Sequence, residues 1–216
     1  MRVRQFQALY PNFDIISSAD SFFGSVKVDY NEYAESGFFQ DTNAPAMYIY
    51  RIETSNRKYE GVLLSLSMDD YTEGKVIRHE KTLSAKEQKS MQLLLSRKAM
   101  IKPVLLTCPK VNKLSQLYKK ITTQKKPFYT VEFEDDNSIH TLWQIKDKNT
   151  LNHIIQITND HIPKCYISDG HHRFEVMERI RRTGQMNKKQ CSHILAAIFS
   201  FDQVDIFDYN RVLEVL

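Results

Sequence analysis

The densest group of reactive side chains lies between residues 168 and 173, which read Ser-Asp-Gly-His-His-Arg. An apolar run over 165–167 precedes them and predicts a buried strand, and a helical pattern follows over 171–183. A glycine turn leading into a basic helix start is suited to an anion, because the first N–H groups of a helix carry partial positive charge. We therefore expect phosphate contacts from Ser168, Gly170, His171, His172 and Arg173.

Two roles are open for Asp169 in the same turn. Its carboxylate has the chemistry of an N-cap and could accept the N–H of His171 or His172. It could instead act in catalysis or bind a magnesium ion, since Mg²⁺ prefers oxygen ligands. The guanidinium of Arg173 offers a fork of donors that matches phosphate oxygens.

A second polar segment, His79-Glu80-Lys81-Thr82, precedes a predicted helix over 84–98. Glu80 is our candidate for the general base, and His79 could share that role or hold the carboxylate in place. Lys81 could bind phosphate as a point charge, with Thr82 beside it. The alternative is structural: Glu80 and Lys81 would be surface charges, and Thr82 would cap the helix.

A metal site is another interpretation of these segments. His79, Glu80, Asp169, His171 and His172 supply five potential ligands. Adjacent histidines on a helix point about 100° apart, so His171 and His172 are poorly placed to share one ion. The pattern therefore favours Mg²⁺ held by Asp169 or Glu80 together with phosphate oxygens, and a structural transition metal stays as the alternative.

Composition sets the class of protein. The chain has 216 residues, 42% of them hydrophobic, which is enough to bury a core. A net charge of +4 permits an anionic ligand without requiring nucleic acid. The three cysteines form no zinc pattern and predict buried, reduced thiols. No apolar run reaches membrane-spanning length, and we expect a cytoplasmic protein without a membrane partner.

The hydrophobic pattern predicts an α+β fold with a mixed, partly antiparallel sheet and flanking helices. Hairpins are predicted over 47–67 and 128–145, and an acidic loop over 67–74. Residues 1–44 form a weakly patterned N-terminal segment with a short helix over 30–39, and 45–216 form the main domain, with a last strand over 206–215. In the helix over 171–183, Phe174, Met177 and Ile180 share one face and should be core, while Glu175 and Arg179 are spaced to form an i, i+4 pair.

Four segments carry a resemblance to the domain of unknown function 1015 family: 47–51, 76–82, 140–143 and 166–175. Their order and spacing also match, so the likeness covers roughly residues 45–215. The turn also resembles the ParB/sulfiredoxin-like fold, which includes sulfiredoxins, CTP-dependent partition proteins and ADP-dependent free serine kinases. In that fold the equivalent turn and helix contact nucleotide phosphates, and the serine kinase motif is closest to Asp169, Gly170, His171 and Arg173.

The resemblance implies a nucleotide-dependent phosphotransferase acting on a small hydroxylated metabolite, with free serine as one candidate. Its cofactors would be ATP or ADP, with CTP also possible, together with Mg²⁺. Because typical family members are longer than this chain, a non-catalytic nucleotide-binding switch or sensor stays as the first alternative. A nucleic-acid-binding or nuclease-like protein is the second, and the modest charge counts against it. The sequence leaves the oligomeric state open.

Overall fold

The computed structural model describes residues 1–80 and 84–207. Helices and strands alternate irregularly along this part of the chain. The helices are α1 (Ala19–Glu35), α2 (Met68–Thr72), α3 (Ser84–Arg97), α4 (Asn112–Gln124), α5 (Lys148–His161) and α6 (His171–Thr183), with a 3₁₀ turn at Phe201–Gln203. The strands are β1 (Val3–Arg4), β2 (Leu9–Pro11), β3 (Phe39–Asp41), β4 (Met47–Glu53), β5 (Lys58–Ser67), β6 (Val76–Ile77), β7 (Val104–Cys108), β8 (Tyr129–Phe133), β9 (Ser138–Ile145), β10 (Cys165–Asp169) and β11 (His193–Ser200).

Nine of these strands form one mixed sheet in the described part of the chain. Its order is β6-β10-β7-β11-β5-β4-β9-β8, and β1 pairs with β5 beside this path. Only β6 with β10 and β7 with β11 run parallel among the described pairs, and β2 pairs with β3 in a separate two-stranded sheet. The predicted α+β class with a mixed, partly antiparallel sheet is therefore confirmed.

Both predicted hairpins are present and lie side by side in the sheet. The first is β4–β5, in which Tyr48 pairs with Leu63. The second is β8–β9, and Trp143 of β9 pairs with Ile49 of β4. Trp143 is buried in the core, as its size and apolarity predict.

Helix α6 packs through the predicted face. Phe174 and Ile180 are fully buried and Met177 nearly so. The i, i+3 spacing of these side chains produces one apolar stripe, which fixes the orientation of α6 against the core. Its first turn is therefore held at a defined place beside the end of β10.

The predicted acidic loop over 67–74 is wrong, because this segment contains α2. The Ser67 hydroxyl caps α2 by accepting the N–H of Asp69, which offsets the low helix propensity of a short polar segment. Asp70 is fully buried and accepts from both the backbone N–H and the Nε of Arg2. A buried carboxylate with charged donors explains why this acidic stretch is ordered.

The N-terminal segment also differs from its prediction. The helix expected over 30–39 instead occupies Ala19–Glu35, and Phe39 begins β3. Ser18 caps it by accepting the N–H of Ser21. Glycine and β-branched residues inside the segment weaken its helical pattern, and tertiary packing of Phe22 and Val26 outweighs that preference.

Cys108, Cys165 and Cys191 are free and buried, as predicted. Across the described residues, every helix is too short or too polar to cross a bilayer. The strand predicted over 206–215 lies almost wholly outside the described residues.

Candidate functional site

The order of the sheet brings the two polar segments to one edge. Strand β10 lies between β6, to which it is parallel, and β7, to which it is antiparallel. Residues that follow Ile77 therefore lie beside the turn that follows β10. On the other side of that turn is the beginning of β7, at Val104.

Gly170 begins α6. It is the N-cap residue, with φ 106°, and no side chain caps the helix. Its carbonyl oxygen accepts the N–H groups of Arg173 and Phe174. The alternative of Asp169 as the N-cap is thus wrong, and the first N–H groups of α6 are left without a side-chain acceptor.

The space made by Gly170 is used by the protein itself. A Cβ at this position would lie 2.8 Å from Nη1 of Arg173 and 3.0 Å from Cγ1 of Val104. Glycine is therefore required both by the backbone conformation and by the guanidinium that folds over the turn. The expected close approach at this glycine is made by Arg173.

Arg173 is directed towards β7. Its Nη1 donates to the carbonyl oxygen of Pro103, and its Nη2 donates to Oδ2 of Asp169 at 2.6 Å. The side chain is 24% exposed, while that of Asp169 is 65% exposed. Part of the donor fork expected to face phosphate is thus engaged within the protein.

On the other side of the turn, His171 contacts the second polar segment. Its ring is 4% exposed, and Nδ1 lies 3.0 Å from Oε1 of Glu80. The backbone N–H of His79 points to Nε2 at 3.4 Å, and the two histidine rings meet edge to face. This pattern assigns the proton to Nδ1, which donates to Glu80, while Nε2 accepts.

The electrostatics agree with a neutral imidazole. Burial lowers the pKa of His171, and the nearby carboxylate of Glu80 opposes this shift without reversing it. Glu80 itself is 55% exposed, so its carboxylate is held by His171 and also faces solvent. A carboxylate fixed in this way has the placement that a general base requires.

The transition-metal alternative fits this geometry less well. Donor atoms of His79, Glu80 and His171 all lie within 4.8 Å of one another. A zinc ion bonded to Nδ1 of His171 would leave the proton on Nε2, against the N–H of His79. This group includes neither Asp169 nor His172.

The remaining predicted residues are placed separately. The Ser168 hydroxyl lies 3.0 Å from that of Thr107. His172 is half-buried, and its Nδ1 has no hydrogen-bond partner within 1–80 and 84–207. The predicted contacts of Lys81 and Thr82 fall outside the described residues.

With this geometry established, comparison with known proteins supplies the family. The family model described as "Protein of unknown function (DUF1015)" matches residues 13–216. The chain belongs to this family. The match begins well before residue 45, so it includes most of the segment that looked dissimilar in sequence. No curated protein and no solved structure matches the chain.

Another contact of this DUF1015 chain was not predicted. Glu175 accepts from the Tyr71 hydroxyl and, at 2.6 Å, from Nη1 of Arg78. Burial and the carboxylate raise the pKa of Tyr71. The expected pair of Glu175 with Arg179 is replaced by this contact, and Arg179 lies 3.7 Å from Glu87.

Two lysines that lie beside Arg173 in this DUF1015 chain were not predicted from the sequence. Lys27 comes from α1, and Lys102 directly precedes Pro103. Both line a cavity with Arg173. Isolated lysines far apart in sequence give no local signal, and only the packing of α1, α3 and α6 brings them together.

A different cavity of about 140 Å³ lies at the opposite end of β7 and β11, where Cys108 and Ser200 end these strands. Its charged residues include Lys110 and Asp202, which pair with each other at 2.7 Å. This cavity is separated from the α6 turn by the length of β7.

Proposed function

We propose that the chain is a nucleotide-dependent phosphotransferase that acts on a small hydroxylated metabolite, with free serine as the first acceptor to test. The observation that supports this most is the exposed carboxylate of Glu80, held by buried His171 at the start of α6. A proton acceptor and an uncapped helix N-terminus therefore lie side by side. Phosphoryl transfer requires mainly such positioning and neutralisation of charge.

The phosphates of ATP or ADP, with CTP as a further candidate, would bind the N–H groups of His171 and His172. The absence of a side-chain cap on α6 supports this role. Ser168 and Arg173 would add donors from either side of the turn. The Asp169 carboxylate already accepts a hydrogen bond from Nη2 of Arg173. A bound phosphate would therefore contact the same guanidinium as this carboxylate.

The residues present fit a magnesium ion delivered with the nucleotide. Asp169 is 65% exposed and engages Arg173 through Oδ2, and within the described chain Oδ1 has no hydrogen-bond partner. Mg²⁺ is commonly held by one or two carboxylates together with phosphate oxygens. Asp169 would supply the protein ligand, and the ion would neutralise phosphate charge.

Glu80 would accept the proton of the acceptor hydroxyl. The acceptor oxygen then forms a bond to the terminal phosphorus, and the bond from that phosphorus to its bridging oxygen breaks. The electron pair of the broken bond stays on the leaving nucleotide. His171, through its Nδ1–H, would keep the Glu80 carboxylate in position during this transfer.

The test is direct detection of product. Purified protein would be incubated with serine, Mg²⁺ and ATP, ADP or CTP, and phosphoserine would be followed by ³¹P NMR. We expect nucleotide-dependent formation of a phosphomonoester. No phosphorylated product from serine or from a panel of other hydroxylated metabolites, with any of the three nucleotides, would reject the proposal.

One observation favours a second candidate, a non-catalytic nucleotide-binding switch or sensor. Arg173 is already held by Asp169 and by the carbonyl of Pro103. Binding of a phosphate could exchange one of these contacts and shift the segment before β7, a change that needs no chemistry. Nucleotide binding that alters protease sensitivity around Pro103, without any turnover, would select this candidate.

A further inference from the structure

A cavity of about 200 Å³ adjoins the α6 turn on the Arg173 side. It lies between α1, α3, α6 and the segment that leads into β7. Its lining is largely apolar, and we call its basic residues, which include the exposed Lys27 and Lys102, the basic rim. The apolar residues are Leu93, Leu94, Met100, Ile101 and Val176, and the basic residues are Lys27, Arg97, Lys102 and Arg173.

The lysines at the rim are close enough to repel each other. The charge of Lys102 lowers the pKa of Lys27, and the charge of Arg173 adds to the effect. Within residues 1–80 and 84–207, neither lysine forms a salt bridge with an acidic side chain. Cations that converge without a carboxylate are unfavourable unless an anion binds between them.

Lys102 is adjacent in sequence to a residue that Arg173 contacts. Arg173 donates to the carbonyl oxygen of Pro103, the residue after Lys102. The same guanidinium packs over Gly170, where α6 begins. The guanidinium of Arg173 therefore lies between the start of α6 and the segment that carries Lys102.

We propose that Lys27, Lys102 and Arg173 bind the phosphate chain of the nucleotide and that the adjoining cavity receives its base. This inference rests on the proposed function for the identity of the ligand. It adds the position of the bound nucleotide, and it assigns phosphate binding to two lysines that belong to no sequence motif.

The size of the cavity agrees with this assignment. Apolar cavities of about 150 Å³ hold a benzene ring, whereas pockets for whole drug-sized ligands measure about 300–1,000 Å³. A volume of about 200 Å³ suits a ring system but not a complete nucleotide. The sugar and phosphates would then lie outside it, along the basic rim.

The experiment distinguishes binding of the base from binding of the phosphate chain, because triphosphate has no base. Calorimetric titrations with ATP and with inorganic triphosphate would be made on three forms: wild type, Lys27→Met/Lys102→Met, and Ser90→Phe. Ser90 lines the cavity from α3, so a phenylalanine there would occupy the space of the base. Ala99→Phe fills the same cavity from the loop and replaces Ser90→Phe if that variant does not fold.

The control variant is Lys119→Met/Lys120→Met. It removes the same two charges from exposed positions on α4, which packs against α5. It should bind both probes like wild type. A difference between the two double variants therefore cannot result from the change in net charge.

We expect the Lys27/Lys102 variant to bind ATP and triphosphate about 10- to 100-fold more weakly, the scale of a single hydrogen bond to a charged group, because both lysines are exposed. The cavity-filled variant should lose about 10-fold for ATP and keep its affinity for triphosphate. Wild-type-like affinity in the lysine variant, or equal loss of both probes in the filled variant, overturns the inference while the proposed function stands. A wild type that binds no nucleotide overturns both.

Discussion

The two sides of the α6 turn differ in what they offer a ligand. On one side, buried His171 donates to the exposed carboxylate of Glu80, which is an arrangement for accepting a proton. On the other side, Arg173 lies with Lys27 and Lys102 at a basic rim, which is an arrangement for holding negative charge. The difference arises because residues 171 and 173 point about 160° apart around the helix. Under the proposed function, this short motif would serve two kinds of chemistry.

The largest effect is expected on the Glu80 side. Glu80→Gln keeps the shape and one acceptor but removes the proton-accepting carboxylate. Turnover should fall about 10²- to 10⁴-fold, while nucleotide affinity stays within about twofold of wild type. Product formation by ³¹P NMR and calorimetric affinity would be measured on the same preparation.

The control is Glu35→Gln, an exposed glutamate at the end of α1. It should leave both quantities unchanged. If Glu80→Gln turned over at the wild-type rate, Glu80 would be a surface charge, and the proton-accepting role would have to be sought elsewhere.

The turn that joins the two sides comes next. Gly170→Val must adopt φ near 106° and also displace Arg173 and Val104. We expect a loss of about 2–4 kcal/mol in the free energy of unfolding, from strained backbone and overpacking together. Urea unfolding followed by circular dichroism would measure it.

Gly184→Val is the matched control, because Gly184 ends the same helix with φ 69° and has open space around it. It should show only the backbone part of the loss. Equal losses in the two variants would mean that the contact between Gly170 and Arg173 contributes nothing.

Arg173→Ala tests the cationic side. It should weaken binding of a nucleoside polyphosphate by roughly 1.5–3 kcal/mol, the scale of a hydrogen bond to a charged group. Phe174 anchors the core face of α6, so the fold should persist. Calorimetry with ATP, ADP and CTP would measure the change.

Arg179→Ala, farther along α6, serves as the control and should bind like wild type. Asp169→Asn should cost no more than about 1 kcal/mol of stability, because the Asp169 carboxylate is largely exposed. Loss of magnesium-dependent activity in Asp169→Asn with stability retained would support the metal role. Unchanged nucleotide affinity in Arg173→Ala would argue against a phosphate site at the turn.

The smallest effect concerns pH and again separates the two sides. Burial lowers the pKa of His171 below the unfolded value of about 6.5. The unfolded chain then binds the proton more readily, so the stability from neutral His171 is complete above about pH 6.5 and is lost as pH falls towards the folded pKa. The wild type should lose stability over this range, and His171→Asn should lose less of it, because it lacks the group whose pKa is lowered by folding.

Urea unfolding at pH 7.5 and pH 5 would measure this difference. Some acid sensitivity should persist in the variant, because burial also lowers the pKa of His140, and that of His193 to about 4. If His171→Asn lost as much free energy of unfolding as the wild type between pH 7.5 and pH 5, His171 would not contribute to the pH dependence of stability.

The fold was predictable where local patterns and packing agree. The hairpin of β4 and β5 and the core face of α6 follow from alternation and from i, i+3 spacing. The errors fall where a cap or a distant partner decides the structure. Ser67 and the buried contact of Asp70 with Arg2 produce α2 from a segment whose composition is typical of a loop.

By itself, the sequence determined which residues could do chemistry, because a glycine turn before a basic helix and a polar segment before a second helix are local patterns. It also determined that α6 follows β10 directly. Only the tertiary structure decided that β6 and β7 flank β10, which places Glu80 against His171 and Lys102 beside Arg173. The physical reason is that strand order and helix packing depend on contacts between residues far apart in the chain, which no local pattern records.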